Sequence, residues 1–134
     1  MYEGHVFLCD SESINSCIRR KSFTSTGENL QVVSQLDVGS IIFLYNMDSN
    51  TVVGPFTATG SAESGMKPGA WRDFTENRTN AGIRVGWENL HELKNAREKF
   101  SFLKDINVCK LSHFQTQDLL DALNDAPLFN LNQA

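Results

Sequence analysis

One apolar run constrains this chain more than any other feature: Ser40-Ile41-Ile42-Phe43-Leu44-Tyr45-Asn46-Met47, entered through Gly39 and left through Asp48-Ser49-Asn50. A short run rich in β-branched and aromatic residues, bounded by turn formers, reads as a strand. Thr51 to Thr59 (TVVGPFTAT) returns as its partner. The resulting hairpin carries so much Ile, Val, Phe and Leu that it forms the heart of the core. Pro55 cannot donate to a ladder, so the second strand is either an edge there or bulged at Gly54-Pro55.

The rest of the chain arranges itself around that hairpin. Gly4 to Cys9 reads as a first strand, ending at Asp10-Ser11-Glu12-Ser13, where an Asp or Ser side chain can cap a helix over residues 12 to 21. Ile14, Cys17 and Ile18 recur at helical spacing, and Arg19, Arg20 and Lys21 close the helix where cations complement its dipole. Ser22 to Asn29 is polar with Phe23 inside it, and Gln31 to Asp37 leads into the apolar strand. Gly60 to Gly82 is a long Gly-, Ser-, Thr- and Asn-rich connection holding Met66, Trp71 and Phe74; such loops are usually functional. Ile83 to Trp87 alternates as a strand, Leu90 to Lys99 forms a surface turn or short helix, and Phe100–Leu103 and Ile106–Leu111 are strand-like. In the closing helix Thr116, Leu119, Leu120 and Leu123 share one face, with Asp118, Asp121 and Asn124 opposite.

This order predicts an α+β domain, a small curved or barrel-like antiparallel sheet flanked by short helices. The 134 residues suffice for one core, placed over 1–125, with 126–134 as an Asn-rich tail or the start of a linker. The alternating βα units of a doubly wound nucleotide fold are missing. At 40% hydrophobic and 21% charged the composition is ordinary for a globular domain. The net charge of −4 argues against coating nucleic acid by bulk electrostatics, though a local basic face is compatible with it. Cys9, Cys17 and Cys109 show no CxxC spacing and read as reduced thiols of a cytoplasmic protein. No segment approaches the ~20 apolar residues a membrane-spanning helix needs, so no membrane partner is expected.

Chemistry-bearing motifs are scarce. There is no P-loop, no GxGxxG, no HExxH and no GxSxG, and His5, His91 and His113 lie far apart. A non-enzymatic role without metal or cofactor is the expectation. Binding features are better represented. Trp71, within Lys67-Pro68-Gly69-Ala70-Trp71-Arg72-Asp73-Phe74, either folds back to plug the core or offers a stacking platform, with Lys67 or Arg72 beside it for a phosphate. Phe23 has the same two readings, and Trp87 reads as core. Arg19, Arg20 and Lys21 are a solvated helix end or a phosphate contact.

Several stretches resemble known families. Gly4-His5-Val6-Phe7-Leu8-Cys9, Val38-Gly39-Ser40-Ile41-Ile42-Phe43-Leu44-Tyr45-Asn46, Gly54-Pro55-Phe56-Thr57-Ala58, Met66-Lys67-Pro68-Gly69-Ala70-Trp71 and Ile83-Arg84-Val85 resemble, in order, the development and cell death (DCD) domain. Phe23-Thr24-Ser25-Thr26 with Asn29, and Gly69-Ala70-Trp71, resemble segments of YTH domains, readers of N6-methyladenine in RNA. Both are similar to EVE domains and to the wider set of PUA-like barrels. The resemblance implies a PUA-like curved antiparallel β-barrel that takes a flipped or unpaired, methylated base of DNA or RNA into an aromatic pocket. It implies Phe23 and Trp71 as pocket walls, Ser25, Thr26 and Asn29 near the base edge, and Phe74 in place of the second tryptophan that YTH domains carry. Arg19, Arg20, Lys21, Lys67 and Arg72 are then the phosphate contacts. Such modules also occur beside effector domains, and the DCD likeness alone implies a protein–protein interaction module as the alternative.

Overall fold

The computed structural model describes residues 4–25, 36, 38–60, 63–64, 81–104 and 110–130. Strand β3 (Ile41–Asn46) lies between β1 (Gly4–Cys9) and β4 (Thr51–Ala58). Its side chains alternate between two cores: Ile42 and Leu44 enter one, Phe43 and Tyr45 the other. A strand covered on both faces needs no polar alternation, which is why this stretch is continuously apolar. Ile42, Phe43 and Leu44 are essentially solvent-free, and burying each such side chain contributes about 1.5–3 kcal/mol.

The first core is covered by helix α1 (Ile14–Arg20), which buries Ile14 and Ile18. Asp10 and Ser13 turn the chain into that helix: Asp10 Oδ1 accepts the Ser13 N–H at 2.9 Å, and the Ser13 hydroxyl accepts the Asp10 N–H at 3.3 Å. The second core is covered by helix α3 (His113–Asn124), which buries Thr116, Leu119 and Leu123. Ser112 caps it by accepting the Gln115 N–H at 3.1 Å, while the Gln115 side chain accepts the Ser112 N–H at 2.9 Å, a complete capping box.

The described strands form one sheet in the order β1-β3-β4-β6-β2, where β6 is Ala81–Gly86 and β2 is Ser22–Ser25. Strand β5 (Glu63–Ser64) pairs with β6, and β7 (His91–Lys94) pairs with β4. The expectation of purely antiparallel pairing is corrected in one respect. β1 and β3 run parallel, from Gly4↔Ile41 to Cys9↔Asn46, because α1 and β2 intervene between them and supply the crossover such a pair needs. The strand path runs from β1 to β2 without a closing pair among the described residues, so this part of the sheet is open.

Pro55 lies on an interior strand, not an edge. From Ile42↔Phe56 to Leu44↔Val53, β3 advances two residues and β4 three, so the extra residue of the bulge falls at Gly54-Pro55. On its other side β4 pairs with β7 as far as Gly54 and with β6 from Thr57 onward. Proline, which has no N–H to offer, occupies the gap between the two partners.

Three further expectations change. His91–Lys94 is a strand, not a surface turn or helix, because a polar HELK segment is held by its ladder to β4. The charged run beyond it is helix α2 (Ala96–Lys99), and Ser101–Lys104 is a 3-10 turn rather than a strand. The stretch 105–109 lies outside the described residues, and Lys110 bridges His5. Residues 126–130, expected as tail, are bound to the domain. Glu92 N–H donates to Pro127 O at 2.9 Å, Phe129 N–H to Leu90 O at 2.8 Å, and Phe129 packs on the first core.

The hairpin turn is tied to α2 through Asn50, whose backbone is left-handed at φ 58°. Its side-chain oxygen accepts the Tyr45 hydroxyl and the Arg97 N–H, each at 2.9 Å, and its amide donates to Glu98.

Gly4 is where β1 presses on α3. A Cβ there would stand 2.7 Å from Thr116 Oγ1 and 3.0 Å from the Phe43 ring, whereas one at Gly60 would meet nothing within 4 Å. Chemical denaturation should show Gly4→Ala destabilising by about 1–3 kcal/mol through overpacking, with Gly60→Ala within about 0.5 kcal/mol of the parent.

Candidate functional site

The basic end of α1 runs directly into β2. Arg19 and Arg20 are exposed at the helix C-terminus, and Arg20 donates to Ser16 Oγ at 2.6 Å. Lys21 terminates the helix in the left-handed conformation, φ 57°, its N–H returning to Ile18 O. The Lys21 ammonium stands 5.6 Å from the centroid of the Trp87 ring, a cation–π distance. β2 then pairs with β6, Ser22 opposite Arg84 and Phe23 opposite Ile83, and the Lys21 carbonyl accepts the Val85 N–H at 2.9 Å.

That register decides the role of Phe23. Its ring is only 2% exposed and packs against Phe7 (5.7 Å between centroids) and edge-on to Phe56 (5.0 Å). Placed as an open wall of a base pocket, Phe23 is therefore corrected to a core residue in this structure. Stacking a base on it requires taking the ring out of an aromatic cluster. Ser25 ends β2, opposite Ala81. Thr26, Asn29, Lys67, Trp71, Arg72 and Phe74 lie outside the described residues. Of the expected phosphate contacts, Arg19 and Arg20 are exposed side by side, and Lys21 faces Trp87.

A second feature emerges that the sequence reading did not single out. A cleft of about 710 Å³ opens between β4, the β6–β7 connection and α3, lined among others by Pro55, Trp87, Glu88, Asn89, Asp121 and Asn124. Trp87 is half-buried, its inner side packed edge-on against Phe56 at 5.6 Å. Leu120 of α3 also lines the cleft, so the apolar face of that helix turns from the core into this surface. His91 also lines it, with its Nδ1 2.9 Å from Ala126 O. The available sequence signal was the position of Trp87, last residue of an alternating strand and followed at once by Glu88-Asn89.

The described residues hold no group of three His, Cys, Asp or Glu placed to bind a metal, and no described helix is long and apolar enough to cross a membrane. Cys9 and Cys17 are free thiols. Burial pushes the Cys9 thiol up to about 12, with Cys17, Asp10 and Asp48 adding to the shift. Cys17 is raised by burial too, against the pull of Arg20. Thiols held protonated at neutral pH are poor nucleophiles.

Among the described residues, one mixed sheet with helices α1, α2 and α3 against it makes an α+β domain with a cleft beside Trp87 on one flank. A family model described as the Development and cell death domain matches residues 3–122, and the chain belongs to that family. No curated protein matches it in sequence. Among solved structures it is similar to the YTH domain of mmi1 in an RNA complex: 14% identity, 92% of this chain and 82% of that one, TM-score 0.67. The YTH domain of Zygosaccharomyces rouxii MRB1, solved with N6-methyladenosine RNA, matches at 14% identity over 96% of this chain and 90% of that one, TM-score 0.66. The Pho92 YTH domain, solved with m6A, matches at 14% identity over 96% and 88%, TM-score 0.66.

Core and cage roles for Phe23 separate on stability. Phe23→Ala should cost about 3–5 kcal/mol in denaturant titration, and Phe23→Leu about 1.5 kcal/mol or less. A Phe23→Ala variant as stable as the parent would return the residue to the surface.

Proposed function

We propose that this domain is a non-enzymatic reader of RNA that takes an unpaired, N6-methylated adenine into a pocket. The observation that carries the reading is the likeness in fold, over 96% of the chain, to YTH domains solved with N6-methyladenosine RNA or m6A. In this reading Trp71 and Phe74 hold the base, and Ser25, Thr26 and Asn29 meet its polar edge. Phe23 contributes as packing beneath β2 instead of as a wall. Arg19 and Arg20, exposed where α1 gives way to β2, bind phosphates, with Lys67 and Arg72 assisting. A methyl group on the adenine amine favours such a site because it buries apolar area against an aromatic face. A PUA-like barrel and a cytoplasmic setting are the companion proposals on fold and place, the second resting on the free thiols.

Fluorescence anisotropy at stated low salt, with matched methylated and unmodified RNA and DNA oligonucleotides, tests the reading. Methylated RNA should bind about tenfold more tightly than its unmodified twin, a difference of about 1.4 kcal/mol. Trp71→Ala should cost about 1–3 kcal/mol of that binding. Arg19→Ala with Arg20→Ala should weaken both RNAs alike and flatten the salt dependence. Absence of binding to every oligonucleotide would sink the idea, and a preference for DNA would redirect it.

A further inference from the structure

The cleft beside Trp87 has the wrong charge for a phosphate. Glu88 stands at one side of it and Asp121 at another, Asn89 and Asn124 add amide groups, and no Lys or Arg is among its described lining residues. A nucleic-acid backbone entering there meets two carboxylates, with His91 the one basic side chain among the described lining residues. A cation meets the opposite: a half-buried indole, two carboxylates and amide oxygens. The structure already shows the Trp87 ring accepting a cation, since the Lys21 ammonium is held 5.6 Å from its centroid, while Lys21 is not among the residues lining the cleft.

We propose that this cleft is a second binding site, which takes an arginine side chain presented by a partner polypeptide. Arginine fits it better than lysine for reasons of shape. A guanidinium is planar and stacks on an indole while its N–H fork engages a carboxylate. Trp87 supplies the plane, and Asp121 and Glu88 supply the acceptors. The Gln117 amide donates to one Asp121 carboxylate oxygen at 3.1 Å. The net charge of −4 favours approach of a basic partner. No residue assigned to the proposed base pocket is among the described residues lining this cleft.

The test uses the full chain and a labelled Gly-Arg-Gly-Arg-Gly peptide, with counterparts in which citrulline or lysine replaces arginine. Citrulline keeps the shape of arginine and removes the charge. The arginine peptide should bind and shift the Trp87 indole N–H resonance, identified by its loss in Trp87→Phe. Its affinity should fall about tenfold or more with citrulline, less with lysine, and about tenfold in a Glu88→Gln, Asp121→Asn double variant. Both substitutions sit at exposed positions and leave the core intact. Equal binding of the citrulline peptide, or unchanged binding by the double variant, would overturn the proposal. So would displacement of the peptide by RNA. Methylated RNA titrated against the same double variant keeps this result apart from the fate of the base-reading proposal.

Discussion

Two-sided burial of β3 is the constraint from which the other elements take their places. A strand with side chains entering cores on both faces demands a cover for each. Helix α1 closes the Ile42–Leu44 side and helix α3 the Phe43–Tyr45 side. Each cover then fixes a connection. Because α1 must cross over the sheet, β1 returns parallel to β3. Because α3 presses on the start of β1, a glycine stands at position 4, where a Cβ would crowd Thr116 and Phe43.

The elements that could be read from the sequence are those whose burial leaves a local mark. The strands β1, β3 and β4 and the helix α1 announce themselves through apolar runs or helical spacing. Strand β7 does not, since His91-Glu92-Leu93-Lys94 has little apolar content and owes its conformation to the ladder with β4. Ser101–Lys104 misleads in the opposite direction: aromatic and aliphatic residues suggested a strand, but a one-turn helix places Leu103 in the core. The start of α3 is set by the Ser112–Gln115 capping box, which the apolar spacing that begins at Thr116 does not reveal.

The candidate site was less legible than the fold, for a physical reason. Sequence spacing shows which residues are aromatic, not which way they face. Phe23 stands between polar neighbours and looked stranded. In an antiparallel pair with β6, though, one apolar residue pointing inward between two polar ones is ordinary strand alternation. Trp87 looked like core for the same reason, and only the geometry of α3 opposite it reveals a cleft. What emerges is a domain with two surfaces of opposite electrostatic character. One lies at the cationic end of α1 and the other is lined by carboxylates beneath Trp87.

Lys21 touches the indole that borders the cleft without lining the cleft itself. It closes the Arg19-Arg20-Lys21 series, yet its ammonium rests on the Trp87 ring. One charge cannot fully serve two partners at once. An anion gathered by the helix end would compete with the indole for that ammonium, and by thermodynamic reciprocity a cation settled on the indole would compete with the ammonium for the ring. A single side chain at a helix terminus thus stands in contact with the indole that borders the cleft.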